Sequence, residues 1–156
     1  MPYLRSENAE TGCIFCRKAG AQDDAAEHVL YRGRHVYVTL NLYPYNNGHL
    51  MIVPYQHAGE LDELDEPTLH ELMMVTQMAL RVLGVAYHPQ GFNIGMNLGQ
   101  AAGAGVVDHL HQHVVPRWAG DTSYLTVVGQ TRTIPEWIDD TYRHLRELWP
   151  APDPDR

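Results

Sequence analysis

Three histidines alternate with other residues at positions 109, 111 and 113. In an extended strand successive side chains point to opposite faces, so this spacing places all three imidazoles on one face. Imidazole changes charge near neutral pH, and its neutral form is a nucleophile that can form covalent intermediates. The alternation therefore predicts a reactive strand centred on His111, although a plain metal site or chance clustering would also bring three histidines together.

The segment before this strand is rich in glycine, with Gly99, Gly103 and Gly105 ahead of His109. Glycine lets backbone N–H groups approach a ligand closely, as a loop that binds an anion requires. On its own such a loop indicates only a turn. Directly before His-x-His-x-His, it indicates a loop that delivers a phosphate group to a nucleophile.

A second reactive spacing is Cys13-x-x-Cys16, which contains the two cysteines of the chain. Two cysteines are too few for a disulfide framework. The pair is compatible with half of a metal site, with a redox pair or with two buried thiols. A redox pair would ordinarily lie at a strand–helix junction of a βαβ unit, and the surrounding sequence shows no such pattern.

The strands that must position these residues are predicted from β-branched and aromatic residues or from alternation. They are 27–32, 35–41, 49–54, 91–97 and 109–115. Asn47-Gly48 is a hairpin-type dipeptide between the second and third of them, so we expect those two strands to pair antiparallel.

Two helices are predicted from apolar residues at helical spacing. The first begins after Asp65, a suitable N-cap, has Pro67 in its first turn and ends near Gly84. Pro135 opens the second, in which Trp137 and Trp149 are expected in the core. Strands interleaved with helices and a tight hairpin together predict an α+β domain on an antiparallel sheet.

Composition limits the class of protein. The chain has 156 residues, of which 44% are hydrophobic and 19% are charged, as in a soluble globular protein. No apolar run reaches the length of a membrane helix and the first residues lack an apolar secretory core, so we expect a cytoplasmic protein without membrane contact. The formal net charge of −8 argues against bulk nucleic-acid binding, so local donors must hold any anionic substrate.

The segment His109 to Val115 resembles the histidine triad signature of the HIT superfamily, His-Φ-His-Φ-His-Φ-Φ with Φ apolar. The likeness covers roughly 27–121, includes Gly48 to Pro54, and is similar to the dinucleoside-polyphosphate branch through 102–121. Gln112 departs from the signature, on the face opposite the triad.

This resemblance implies a HIT-like α+β fold, an antiparallel five-stranded sheet with one long helix packed on it and a C-terminal helix. A single domain, 1–156, then has its core at 27–121, a zinc-knuckle-like segment at 1–26 and a family-variable extension at 122–156.

The resemblance also implies a mechanism for an enzyme acting on dinucleoside polyphosphates, such as diadenosine triphosphate or tetraphosphate. His111 attacks the α-phosphorus, and water or inorganic phosphate then releases the nucleotide from a nucleotidyl-histidine intermediate. His113 and backbone N–H groups near Gly105 and Val106 hold the phosphate oxygens as charge develops. An adenosine phosphoramidate hydrolase and a nucleotide-binding sensor without turnover are the alternatives left open.

Four further positions take roles by the same resemblance. His109 completes the catalytic histidines, and His49 supports the triad from the neighbouring strand. Asn41 matches a position that binds ribose, and Asn97 matches a phosphate or leaving-group contact. Simpler roles as turn or strand-end residues remain open for Asn41, Asn97 and His49.

A structural zinc ion and a homodimer are the remaining implications of the resemblance. In similar bacterial proteins a Cys-x-x-Cys pair joins two histidines, which correspond here to His57 and His109. Zinc on Cys13, Cys16, His57 and His109 would have no open coordination position, so its role would be structural. The expected partners are therefore a small nucleotide substrate and a second copy of the chain.

Overall fold

A five-stranded antiparallel sheet forms the centre of the fold, in agreement with the predicted α+β class. The structure, a computed structural model, describes residues 12–122 and 135–151. Its strands are β1 Val29–Arg32, β2 Val36–Leu40, β3 Leu50–Pro54, β4 Gly91–Met96 and β5 Gln112–Arg117. Their order in the sheet is β1-β2-β3-β5-β4, and β2 and β3 pair antiparallel as predicted. The long crossover from β3 to β4 thus leaves room for β5 between them.

Helices in the described residues are α1 Ile14–Gly20, α2 Glu66–Tyr87 and α3 Ile138–Leu148, with 3-10 turns at Leu61–Glu63 and Gln100–Ala102. The Asp65 side chain caps α2 by accepting a 2.9 Å hydrogen bond from the Thr68 N–H, and Pro67 lies in the first turn, as predicted. The helix continues past Gly84 to Tyr87, and its C-cap His88 has a φ of 47°, in the left-handed region.

The two faces of the sheet have different partners. One face packs against α2 and α3, and its buried apolar core includes Val36, Val38, Leu40, Leu50, Ile52, Val114, Leu83 and Leu145. On the opposite face, Phe15 of α1 packs with Val29, Tyr37, Met51, Val53 and Tyr55. Because side chains alternate along β5, Val114 lies on the first face and His113 on the second.

Helix α1 was not among the predicted elements. It has seven residues, too few for a stable isolated helix, and it buries Phe15 and Cys16 against the sheet. Packing rather than intrinsic propensity therefore holds this helix in place.

The triad strand begins later than predicted, at Gln112 instead of His109. The Leu110 N–H donates a 2.7 Å hydrogen bond to the Ala58 carbonyl oxygen. Because residues 109–111 thus follow the segment after β3, the sheet ladder starts only at Gln112, opposite Ile52 and Met96.

The last helix also begins later than predicted, at Ile138 instead of Pro135. Trp149 is 4% exposed, which confirms its predicted core position. Trp137 is 82% exposed, so its predicted core position is wrong. It precedes the first turn, outside the face through which Tyr142 and Leu145 reach the core.

The connection between β2 and β3 is a wider loop than the predicted hairpin turn and runs from Asn41 to His49. Its two ends are joined by a 3.1 Å hydrogen bond from the Asn41 N–H to the His49 carbonyl oxygen. At Gly48, φ is 72° and an added Cβ would lie 2.9 Å from Leu83 and Tyr87. Glycine therefore allows this loop to pack directly on α2.

Two predicted segments reach beyond what the structure describes. Residues 1–11 of the N-terminal segment, and residues 123–134 and 152–156 of the C-terminal extension, lie outside the described residues. Within the described part of the chain, none of the helices combines the length and apolar character needed to cross a bilayer.

Candidate active site and metal centre

The three histidines of the motif lie on the α1 face of the sheet, as their spacing predicts. The Phe15 ring packs against the rings of His109 and His111, with centroid distances of 5.4 and 4.7 Å. The rings of His111 and His113 are 4.9 Å apart. The three imidazoles thus form a continuous row, although only His113 lies within β5.

The first triad histidine is part of a four-residue cluster with Cys13, Cys16 and His57. One ligand atom from each residue lies within 4.8 Å of the others. His109 Nδ1 is 3.4 Å from Cys13 Sγ, 3.5 Å from Cys16 Sγ and 3.2 Å from His57 Nδ1. The structure therefore brings together all four residues assigned to zinc.

These distances fit a single tetrahedral metal ion. Zinc–sulfur bonds near 2.3 Å and zinc–nitrogen bonds near 2.05 Å give tetrahedral edges of about 3.6 Å for S···N and about 3.3 Å for N···N. His109 Nε2–H donates to the Pro54 carbonyl oxygen at 2.9 Å, which leaves the lone pair on Nδ1. Nδ1 is the atom that faces the two thiols, so the donor set suits zinc.

Burial governs the titration of this cluster. It lowers the pKa of His109 to about 4, with smaller contributions from His57 and His111. It also raises the pKa of the Cys16 thiol to about 12, and neighbouring Cys13 adds to the effect. Without a cation the Cys16 thiol stays protonated, whereas a metal ion would stabilise its thiolate.

The tautomer of His111 is assigned by one hydrogen bond. Its Nδ1–H donates to the His109 carbonyl oxygen at 2.9 Å, so Nε2 carries the lone pair. The side chain is 6% exposed, and burial lowers its pKa from 6.5. His111 is therefore neutral near pH 7, which is the protonation state that a nucleophile requires.

His113 has the opposite tautomer, assigned through His49. The Tyr45 N–H donates to His49 Nδ1 at 3.0 Å, so His49 carries its proton on Nε2. His49 Nε2–H then donates to His113 Nδ1 at 2.9 Å, which leaves the proton of His113 on Nε2. Burial, with a smaller effect of His111, lowers the pKa of His113 to about 4. A neutral acceptor at His111 thus stands beside a neutral donor at His113.

A cleft of about 300 Å³ opens beside these two histidines. The predicted residues that line it are His111, His113, Asn41, Asn97, Gly105 and Val106. Gly103, with φ of 85°, also lines it and ends the 3-10 turn of the glycine-rich loop. His109, which is 0% exposed, and His49, which is 1% exposed, lie behind this lining. The structure thus places two of the triad histidines, two asparagines and the glycine-rich loop around one cleft.

The family profile described as HIT domain matches residues 22–120. The chain belongs to the HIT domain family.

Two curated relatives are similar in sequence to this HIT protein. AP-4-A phosphorylase of Mycobacterium tuberculosis is 50% identical over 121 residues, which cover 78% of this chain and 62% of that protein. The match therefore spans less than two thirds of that relative's length. An uncharacterized HIT-like protein of Methanocaldococcus jannaschii is 34% identical over 109 residues, covering 70% of this chain and 81% of that protein.

A solved structure also matches this HIT protein over most of its length. It is a Zn-bound histidine triad family protein from Mycobacterium smegmatis, with a TM-score of 0.71 and 28% sequence identity. The superposition covers 89% of this chain and 94% of that one. The HIT fold is thereby confirmed.

Several residues of the cleft were not found by sequence reasoning. Ile14, Phe15 and Lys18 reach it from α1, and Tyr43 and Tyr45 reach it from the loop after β2. The i, i+4 spacing of Ile14 and Lys18 is a signal that could have placed them on one side of a helix.

Lys18 adds a cation to the cleft of an acidic chain. Its ammonium donates a hydrogen bond to the Glu27 carbonyl oxygen and lies 3.5 Å from the Glu27 carboxylate. The side chain is 2% exposed, and burial lowers its pKa below 10.5 despite the opposing effect of Glu27. Lys18 is therefore held at the cleft by Glu27 rather than by solvent.

Proposed function

We propose that this HIT protein cleaves dinucleoside polyphosphates through a covalent nucleotidyl intermediate on His111. The observation that carries the proposal is the hydrogen bond from His111 Nδ1–H to the His109 carbonyl oxygen, because it leaves a lone pair on Nε2 beside the cleft. The 50% identity to a protein named AP-4-A phosphorylase supports diadenosine tetraphosphate as the substrate to test.

The proposed reaction has two displacement steps at the α-phosphorus. The His111 Nε2 lone pair forms a P–N bond while the P–O bond to the polyphosphate breaks, and the leaving oxygen keeps that electron pair. An acceptor oxygen then attacks the same phosphorus, and the P–N electron pair returns to Nε2. Phosphate as acceptor gives ADP and ATP from diadenosine tetraphosphate, whereas water gives AMP and ATP.

Neutral donors around the cleft stabilise the charge that develops on the non-bridging oxygens. His113 offers its Nε2–H, since Nδ1 is occupied by the hydrogen bond from His49. We assign the backbone N–H groups of Gly105 and Val106 to the same oxygens, because both residues line the cleft. Such fixed local donors allow a chain with a net charge of −8 to bind a small anion.

The two asparagines of the cleft are assigned to substrate binding. Asn41 Oδ1 accepts a hydrogen bond from the Tyr43 N–H at 3.0 Å, which orients the amide at the start of the loop. This amide is proposed to bind ribose, and Asn97 is proposed to contact the phosphate chain or the leaving group. His109 would act indirectly, because its carbonyl oxygen accepts the hydrogen bond that orients the His111 ring.

A product assay tests the proposal and separates its alternatives. The protein is incubated with diadenosine tetraphosphate, with and without phosphate, and the nucleotides are separated by chromatography. We expect ADP and ATP only when phosphate is present, in line with the name of the relative. AMP and ATP without phosphate would make the protein a hydrolase, and cleavage of an adenosine phosphoramidate alone would make it a phosphoramidate hydrolase.

Two variants make the assay specific for His111. His111→Ala should lose turnover by at least about a thousandfold, because it removes the nucleophile. His70→Ala, on the exposed side of α2, is the matched control and should keep full turnover. Full turnover in His111→Ala would overturn the mechanism, and tight nucleotide binding without product in the native protein would favour a sensor.

We also propose that the four-residue cluster binds zinc with a structural role. The tetrahedral edge lengths support it, and so does the similar Zn-bound protein of M. smegmatis. Zinc would tie α1 to the segment that carries His109 and would fix the orientation of that ring. Elemental analysis of freshly purified protein should find about one zinc per chain. A content below about a tenth of that would refute the assignment.

A homodimer is proposed for the exposed edge of the sheet. Among the described residues, strand β4 pairs only with β5, and its Ile94 is 46% exposed. The open edge of a sheet readily pairs with another strand, so a second copy could extend the sheet there. Sedimentation equilibrium should give twice the chain mass, and Ile94→Lys should shift the protein to monomer.

A further inference from the structure

The loop that carries His49 is tied to the end of β5 by one amide. Asn46 Nδ2 donates to the Pro116 carbonyl oxygen at 3.0 Å and to Asp121 Oδ2 at 2.8 Å. Strand β3 pairs with β5 only as far as Leu50 opposite Val114. Asn46 thus supplies the donor that β3 no longer offers to the Pro116 carbonyl.

Asp121 is held in place by hydrogen bonds other than the one from Asn46. Arg117 binds its carboxylate with both Nε and a terminal nitrogen, at 2.6 and 2.7 Å, and the Trp118 N–H adds a 3.2 Å hydrogen bond. The other terminal nitrogen of Arg117 donates to Asn93 Oδ1 of β4 at 2.6 Å. A two-point arginine–carboxylate pair has a fixed geometry, so Asp121 is a firm anchor.

From this anchor, a series of hydrogen bonds leads to His113, the proposed hydrogen-bond donor to the phosphate oxygens. The Asn46 carbonyl oxygen accepts the His49 N–H at 3.2 Å. The preceding residue, Tyr45, donates its N–H to His49 Nδ1, and His49 Nε2–H donates to His113 Nδ1. The position of Asn46 therefore decides whether the Tyr45 N–H stays aligned with the His49 ring.

We propose that Asn46 and Asp121 are positioning residues that fix the tautomer of His113 by anchoring this loop. When the anchor is lost, the Tyr45 N–H moves away and His49 Nδ1 can take the proton. His49 then no longer donates to His113 Nδ1, so His113 carries its proton on Nε2 for less of the time. The inference deepens the proposed function, on which its catalytic consequence rests, whereas its tautomer consequence is independent of the substrate.

The test compares Asp121→Asn and Asn46→Ala with the native protein. Asp62→Asn, an exposed acid-to-amide change in the 3-10 turn before α2, is the matched control. Imidazole ¹⁵N spectra report which nitrogen of His113 carries the proton. We expect the Nε2–H form in the native protein and in Asp62→Asn, and a mixture of the two tautomers in both loop-anchor variants.

Steady-state kinetics with diadenosine tetraphosphate provide the second readout. A small misplacement of a catalytic group can lower turnover by about a hundredfold. We therefore expect kcat to fall about 10- to 100-fold in each variant, with KM changed by less than about threefold. The double variant should be no slower than the slower single variant, because both changes break one anchor.

The outcomes separate this inference from the proposed function. Asn46→Ala leaves the Arg117–Asp121 pair in place, so the test stays decisive if Asp121→Asn folds poorly. Unchanged His113 tautomers in Asn46→Ala, or losses in kcat that multiply in the double variant, would overturn the inference. A shifted tautomer in a protein that cleaves no dinucleotide would support the positioning role and reject the proposed function.

Discussion

Thr76→Val tests how this chain accommodates Gln112 where the histidine triad signature has an apolar residue. Gln112 is 4% exposed, and its Nε2 donates to Thr76 Oγ1 of α2 at 2.6 Å. The Thr76 hydroxyl is buried too and donates to the Leu72 carbonyl oxygen at 2.7 Å. Valine has nearly the shape of threonine but lacks the acceptor. The substitution therefore leaves a buried amide of Gln112 without its partner.

The expected cost follows from that missing acceptor. A buried donor left without a partner costs about 1–3 kcal/mol, so we expect Thr76→Val to lower the free energy of unfolding by about 2 kcal/mol. For a chain of this size 1 kcal/mol corresponds to about 2–4 °C, so Tm should fall by about 4–8 °C. Gln112→Leu should cost less, because Thr76 keeps its hydrogen bond to Leu72 and no amide is buried.

The decisive sample is the double variant Thr76→Val/Gln112→Leu. Replacing both partners by apolar groups of similar shape is nearly neutral, so it should be more stable than Thr76→Val alone. Urea unfolding at a fixed zinc concentration measures the four proteins, since a bound metal shifts the apparent stability. A double variant less stable than Thr76→Val, or a Thr76→Val variant within about 0.5 kcal/mol of the native protein, would refute the reasoning.

Three further predictions concern the metal cluster, pH and the loop before β3. Cys13→Ser should lower the zinc content and the Tm, whereas the kcat of the zinc-loaded variant should change little. A loss confined to kcat would contradict a structural metal. Burial holds the pKa of His113 at about 4, below its ordinary 6.5. As the pH falls, the unfolded chain therefore binds a proton at this histidine before the folded protein does. Stability should therefore be full above pH 6.5 and decrease towards pH 4, less steeply in His113→Gln, as denaturant midpoints across pH can check. Gly48→Ala should lower Tm by several degrees in calorimetry, because its Cβ would lie 2.9 Å from Leu83 and φ is 72°. An unchanged Tm would mean that the loop moves to accept the methyl group.

Local chemistry explains which parts of the fold were predictable. Asp65 and Pro67 mark the start of α2 because capping depends on residues a few positions apart. The antiparallel pairing of β2 and β3 follows from a connection too short for a crossover. The predicted ends of elements were less accurate, as at His109, because the end of a sheet ladder depends on where the neighbouring strands stop pairing.

The candidate site divides in the same way. The alternation of His109, His111 and His113 by itself places three rings on one face, since side-chain direction in extended backbone has a period of two. Resemblance to a family predicted the position of His111 at the cleft and the four-residue cluster. The geometry of both agrees with that expectation. Their roles in catalysis and metal binding stay predictions until the experiments above are done.

The sequence by itself determined the order of the strands along the chain, the long helix and the face shared by the three histidines. Tertiary structure alone decided the tautomers of His111 and His113, the position of Lys18 at the cleft and the link from Asn46 to Asp121. These depend on hydrogen bonds and packing between segments that are far apart in the chain, such as Asn46 and Asp121, which are 75 positions apart. Periodicity and capping describe only neighbours within a few residues, whereas such contacts exist only once the sheet has brought its strands together.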